Sequence, residues 1–137
     1  MSNPTEALVL SRLTSMRADL IHHLTEELTE KLPIISPRAH RDDSPEMHRE
    51  RMHKTATRFH DTLMAAADAG WSLISFDYSW ASRVLQPLGV TWEHQDTAIT
   101  AYFAIARRLA EWSDEEDAAL TSIEQHMRAE VQPAYTA

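Results

Sequence analysis

The helical pattern of this chain is clearest in residues 5–32, which read TEALVLSRLTSMRADLIHHLTEELTEKL. Apolar side chains recur there at intervals of three and four residues, the spacing that places them on one face of an α-helix. The members of this stripe are Val9, Leu13, Met16, Leu20, Leu24 and Leu28. We therefore predict one long amphipathic helix that ends where Pro33 and Pro37 interrupt the pattern.

Further segments with helical periodicity follow a polar loop predicted over Ser36–Asp43. Ser44, Thr91 and Ser113 are expected N-caps, and Gly70 an expected C-terminal cap. The predicted helices span residues 44–69, 71–86, 91–112 and 113–133, the last one stopping at Pro133. In the 71–86 segment, positions 73, 77, 80, 84 and 88 share one face. The chain is therefore predicted to be an all-α antiparallel bundle of four or five helices, forming a single domain over residues 1–137.

The inner faces of the last two predicted helices are well marked by their apolar residues. The first of them is expected to bury Ile99, Tyr102, Phe103, Ala106 and Leu109, and the second Leu120, Ile123, Met127 and Val131.

Composition excludes several classes of function. The 137 residues include 13 Lys and Arg against 21 Asp and Glu, a net charge of −8, which disfavours nucleic acid and anionic membranes as partners. The absence of cysteine excludes disulfides, thiolate metal sites and thioether-linked pigments, and two glycines leave no room for a Gly-rich phosphate loop. No apolar stretch suits a membrane span or a signal peptide. A soluble, cytoplasmic protein is expected.

Eight histidines are the most unusual feature of the composition. His53 and His60 are predicted to share an inward helix face with Ala56, Met64 and Ala67, where they could flank a flat ligand or bond to Asp77 or Tyr78. His94 falls in the first turn of its helix, where the helix dipole favours a neutral imidazole that can bind a metal. Of the other five histidines, His22, His23 and His40 are expected to face solvent. Only Glu50–His53 has the Glu-x-x-His spacing, so a di-iron bundle is not expected.

Aromatic residues cluster between positions 71 and 112. They suit either core packing or a stacking wall for a conjugated ligand, and they comprise Trp71, Phe76, Tyr78, Trp80, Trp92, Tyr102, Phe103 and Trp112. Arg83 could bind a carboxylate of such a ligand or form an exposed ion pair. No serine has the context of a nucleophile elbow, and cysteine is absent, so we do not expect an enzyme.

Residues 60–90 contain His60-x3-Met64, Gly70 and the run Phe76-Asp77-Tyr78-Ser79-Trp80-Ala81-Ser82-Arg83-Val84-Leu85-Gln86-Pro87-Leu88-Gly89-Val90. This pattern resembles that of the photoglobins, a family of non-haem globins. Photoglobins are similar to phycobiliproteins and to the non-haem globin domains of stressosome proteins. The resemblance implies a globin-like fold and a photosensory domain that binds a tetrapyrrole-type chromophore.

The chromophore that the resemblance implies is a cobalamin or a bilin. Cobalamin is favoured because a bilin has no cysteine to attach to, whereas a corrin needs only an imidazole, from His60 or His94, for its cobalt. The other expected binding residues are His53, Trp80, Tyr78, Trp92, Phe76, Met64 and Arg83. Light would then change the packing around Trp80 and Trp92, and a separate signalling protein would receive the signal.

Two other hypotheses stay open at this point. The chain could be a haem-binding globin, or a ligand-free adaptor or dimerisation bundle that uses the outer faces of its first and last helices. A homodimer is compatible with each of these hypotheses.

Overall fold

The computed structural model describes residues 3–34 and 44–136, and these contain α-helices and no strand. The all-α prediction is therefore confirmed. No helix in the described ranges has an apolar stretch long enough to cross a membrane. The predicted loop over Ser36–Asp43, with His40, lies outside the described residues. The helices are α1 (Pro4–Ser15), α2 (Arg17–Lys31), α3 (Pro45–Ala69), α4 (Ser72–Leu85), α5 (Trp92–Leu109) and α6 (Asp114–Thr136), with a 3-10 turn, Gln86–Leu88, before α5.

The predicted caps form as local hydrogen bonds. The Ser44 hydroxyl accepts a bond from the backbone N–H of Met47 at 3.2 Å. Ser113 and Glu116 form a reciprocal capping box, in which each side chain accepts a bond from the other's backbone N–H, at 2.9 and 3.1 Å. Gly70 ends α3 with φ +120°, a conformation that side-chain-bearing residues rarely adopt. Local sequence therefore determines where most of these helices begin and end.

Three boundaries differ from the prediction. The single helix expected over residues 5–32 is divided at Met16, whose backbone leaves the helical region at φ −94° and ψ 11°. Helix α5 ends at Leu109, short of Trp112. Helix α6 continues past Pro133 to Thr136, and Tyr135 in this last turn is buried. Packing of that turn against the bundle compensates for the hydrogen bond that Pro133 cannot donate.

Buried residues from each of the helices α1 to α6 form one apolar core. The predicted stripe of α1 and α2 is buried, except that Met16 is half-buried, and the predicted inner faces of α5 and α6 are buried apart from a half-buried Leu109. Helices α2 and α3 run antiparallel, because Arg17 at the start of α2 pairs with Asp61 and Glu26 further along pairs with Arg49.

Helices α4 and α6, which are not consecutive in the chain, pack against each other and run parallel. The ring of Trp71, just before α4, stacks on His126 with centroids 4.8 Å apart and planes 5° apart. After the C-terminal end of α4, the Gln86 side chain donates to the carbonyl of Tyr135 at 3.2 Å. The chain reverses direction into α5 and again into α6, so α6 regains the direction of α4.

Candidate functional site

The structure distributes the residues predicted for the chromophore among separate environments. His60 lies in the core, His94 at the N-terminus of α5, His53 beside an open groove, and Trp80 on the outer surface of α4. Within residues 3–34 and 44–136, no group of three or more His, Asp or Glu side chains is placed to hold a metal ion. The predicted residues therefore do not converge on one pocket.

His60 is 1% exposed and packs in the centre of the bundle. Its Nδ1 is 2.8 Å from the hydroxyl of Tyr102 on α5, so the partner is neither Asp77 nor Tyr78, the residues expected from sequence. Asp77 instead pairs with Arg58 at 2.9 Å. Burial lowers the pKa of His60 and so keeps the imidazole neutral. The Nε2 atom of His60 is buried and has no hydrogen-bond partner.

A neutral imidazole with an unpartnered nitrogen has the donor chemistry for cobalt or iron, but the space around His60 does not suit a tetrapyrrole. Nε2 is sealed from solvent, and Phe59 and Tyr102 pack as rings with centroids 4.8 Å apart in this part of the core. A macrocycle would need a cavity of the size found in ligand pockets, several hundred Å³, open to that nitrogen. The packed residues around His60 therefore leave no room for a tetrapyrrole in this structure.

His94 takes part in the cap of α5. Its Nδ1 accepts the backbone N–H of Thr91 at 3.1 Å, while its own backbone N–H is 3.4 Å from the Thr91 hydroxyl oxygen. This bond occupies Nδ1 and leaves only Nε2 for any other partner. His94 borders a cavity of about 280 Å³ with Met52, Leu85 and Val90 among its walls. Trp92 is half-buried and packs against the core. The predicted axial ligands, His60 and His94, thus serve a core hydrogen bond and a helix cap.

His53 does not face inward, which corrects the prediction that it accompanies His60. The two residues share a face of α3 by helical spacing, but His53 is exposed at a groove of about 570 Å³ between α2 and α3. Met64 on the same helix is half-buried, and the Thr14 hydroxyl donates to its sulfur at 3.2 Å.

Helix α4 presents its aromatic residues on two opposite sides. Ile74 is fully buried, and Tyr78 packs against the core, where burial raises the pKa of its hydroxyl. Phe76, Trp80 and Val84 are 76%, 62% and 53% exposed. The face of α4 that packs on the bundle carries positions 74, 78 and 81, whereas the common face of positions 73, 77, 80 and 84 carries the exposed Trp80 and Val84.

We call Phe76, Trp80 and Val84 the α4 row. They are spaced four residues apart and so extend about 12 Å along one side of the helix. Trp71, Trp92 and Trp112 pack partly against the core, whereas Trp80 is mostly exposed. The two aromatic side chains of the row leave roughly 300 Å² of ring surface in contact with water.

Two charged residues flank the α4 row without forming an ion pair with any described residue. Arg83 on α4 and Glu130 on α6 both line a groove of about 430 Å³ beside Phe76 and Trp80. Most arginines of the described ranges have carboxylate partners, as Arg107 does with Asp117 at 2.9 Å. The row is thus an apolar surface with one unpaired cation and one unpaired anion along its edge.

Sequence reasoning missed two structural histidines. His48 is buried, and its Nε2 donates toward the carbonyls of Thr29 and Leu32 at 3.2 and 3.1 Å, where it caps the C-terminus of α2. His126 stacks on Trp71. Both contacts join residues that are distant in the sequence, and neither has a local sequence pattern.

The resemblance to photoglobins stays a prediction, as does the chromophore that it implies. Comparison with protein-family models, with curated proteins and with solved structures finds no match to this chain.

Proposed function

We propose that this chain is a non-catalytic protein-interaction module that binds a helix of a partner protein on the α4 row. The observation that carries the proposal is the exposure of Phe76, Trp80 and Val84 along one side of a helix whose other side is packed in the bundle. Single exposed apolar side chains are common on protein surfaces, but a continuous row with two large aromatic rings is typical of interaction sites.

The chemistry of the row suits a helical partner. Side chains four residues apart form a ridge that fits between the corresponding ridges of another helix. Trp and Phe bury much apolar area with few rotatable bonds, so ordering them on binding costs little conformational entropy. Ser72, Ser75 and Ser79 beside the row supply small hydroxyl groups at its margin.

Site-specific photo-crosslinking in an extract of the native host tests this proposal. Phe76→p-benzoylphenylalanine places the crosslinker in the row, and Leu8→p-benzoylphenylalanine places it on α1, at a leucine that is also exposed. We expect a discrete adduct from position 76 that disappears when Trp80→Ser is added, and none from position 8. Equal labelling from both positions, or no adduct from position 76, would overturn the proposal.

Chromophore binding is a second candidate, favoured by the unpartnered Nε2 of neutral His60. It requires the core to open around that nitrogen. The test is the absorption spectrum of purified protein after incubation with cobalamin, biliverdin or haem and gel filtration, with His60→Ala and His94→Ala as variants. A spectrum that shifts with the wild type and not with one of these variants would support imidazole ligation. If no compound stays bound, the sensor hypothesis fails.

A further inference from the structure

We infer that the partner of the α4 row is a second copy of this chain, bound about a two-fold axis that passes Trp80, with Arg83 of each copy beside Glu130 of the other. This inference rests on the proposed function, since it names the partner of the same surface.

The positions of the two unpaired charges along α4 lead to this arrangement. Because α6 runs parallel to α4 between the Trp71–His126 and Gln86–Tyr135 contacts, Glu130 lies level with the middle of α4. It therefore precedes Arg83 by about one to one and a half helical turns, roughly 5–8 Å. That offset agrees with the absence of an ion pair between them in one chain, although both line the same groove.

A two-fold axis removes this offset. When two copies of α4 meet antiparallel at Trp80, a group that lies before Trp80 in one copy is brought level with a group that lies after it in the other. Glu130 precedes Trp80 and Arg83 follows it by three residues, so each Arg83 reaches the level of the opposite Glu130 on the same side of the interface. Two equivalent ion pairs then form, as an isologous interface requires.

The apolar row is self-complementary in the same arrangement. Phe76 and Val84 are each four residues from Trp80, so the antiparallel pairing places Phe76 of one copy against Val84 of the other and the two Trp80 rings at the centre. The large residue thus meets the small one at both ends.

The size of the row indicates a weak dimer. Roughly 300 Å² of aromatic surface per copy is less than half of the ~800 Å² that each partner buries in a standard stable interface, and the polar margin of the groove must supply the rest. We therefore expect a reversible dimer in the micromolar range of dissociation constants, seen as a mass that rises with protein concentration.

Sedimentation equilibrium of the full chain over a wide concentration range tests the inference. The wild type is expected to approach twice its 15.6 kDa chain mass. Trp80→Ala should weaken dimerisation by about 30-fold or more, as for a central hot spot. Arg83→Glu and Glu130→Arg should each weaken it by about tenfold, and their combination should restore it to within about threefold of the wild type.

Matched controls separate surface effects from the proposed contacts. Leu8→Ala removes an exposed leucine from α1, and Arg108→Glu reverses an exposed arginine that, like Arg83, has no ion pair with described residues. Both controls should dimerise as the wild type does, and circular dichroism of every variant should show unchanged helix content.

Three outcomes would overturn the inference. They are a wild type that stays at the single-chain mass at all concentrations, a dimer that Trp80→Ala leaves intact, and a charge-swapped double variant no better than the single variants. The crosslinking experiment distinguishes this failure from failure of the proposed function. If the wild type stays at the single-chain mass, a discrete adduct at position 76 that Trp80→Ser abolishes would retain the interaction module without self-association, whereas the lack of any adduct would remove both.

Discussion

The buried hydrogen bond between His60 and Tyr102 allows a prediction about stability that a double-mutant cycle can test. The two groups are 2.8 Å apart and shielded from water, and His60 Nε2 already lacks a partner. Tyr102→Phe leaves both imidazole nitrogens unpaired, and His60→Leu leaves a buried phenol unpaired. Each change is expected to lower the free energy of unfolding by about 1–3 kcal/mol, the cost of an unsatisfied buried polar group.

The double variant, with both substitutions, is expected to be more stable than either single variant. Replacing both partners removes every unpaired polar atom of this cluster, so most of the penalty disappears and only packing differences remain. The assay is urea denaturation followed by circular dichroism at pH 7.5, with Tyr135→Phe as the control. The Tyr135 hydroxyl accepts a hydrogen bond from the Gln95 side chain at 3.1 Å in a partly buried position, so the loss of this hydroxyl should cost less.

Additive effects would refute this reasoning. If the free energy of unfolding of the double variant is lowered by the sum of the decreases in the two single variants, to within about 0.5 kcal/mol, the two side chains are not energetically coupled. The 2.8 Å contact would then contribute nothing measurable to the stability of the core.

Three further predictions concern the pH dependence of stability, a backbone conformation and the orientation of α4. Because burial lowers the pKa of His60, the unfolded chain binds more protons than the folded one as pH falls below about 6.5, so the free energy of unfolding decreases there by up to ~1.4 kcal/mol per pH unit. Urea titrations at several pH values should show that the free energy of unfolding of His60→Leu depends less on pH than that of the wild type. The same pH dependence in both proteins would contradict this prediction. Gly70→Ala, at φ +120° and ψ 143°, should lower the melting temperature more than Gly89→Ala, at φ +97° and ψ 8°, because only Gly89 lies near the left-handed region that other residues can adopt. A larger decrease for Gly89→Ala in calorimetry would contradict this prediction. Ile74→Ala should lower the free energy of unfolding by about 2–5 kcal/mol and Trp80→Ser by less than ~0.5 kcal/mol. Similar decreases for both variants in urea denaturation would show that the buried and exposed faces of α4 are assigned wrongly.

The candidate site was predictable only in part. The inward position of His60 follows from the spacing of apolar residues on its helix, and the structure confirms it. Its partner Tyr102 is 42 residues away on α5, so the hydrogen bond depends on how two helices pack and on no local pattern. His53 has nearly the same helical phase as His60, yet it is exposed because α2 and α3 leave a groove at that end. The position of a residue on a helical wheel therefore predicts its burial only where a neighbouring helix packs against that side of the helix.

The sequence by itself determined the helical class of this protein, most of its helix boundaries and the buried faces of α1, α2, α5 and α6. Those features depend on interactions within a few residues, namely apolar spacing, N-cap hydroxyls and glycine at a positive φ. Tertiary structure alone decided which side of α4 is exposed, since apolar residues occupy both sides of that helix. Contact with α3 and α6 buries Ile74, half-buries Tyr78 and leaves the α4 row in water. The surface that could bind a partner is therefore a consequence of packing between helices.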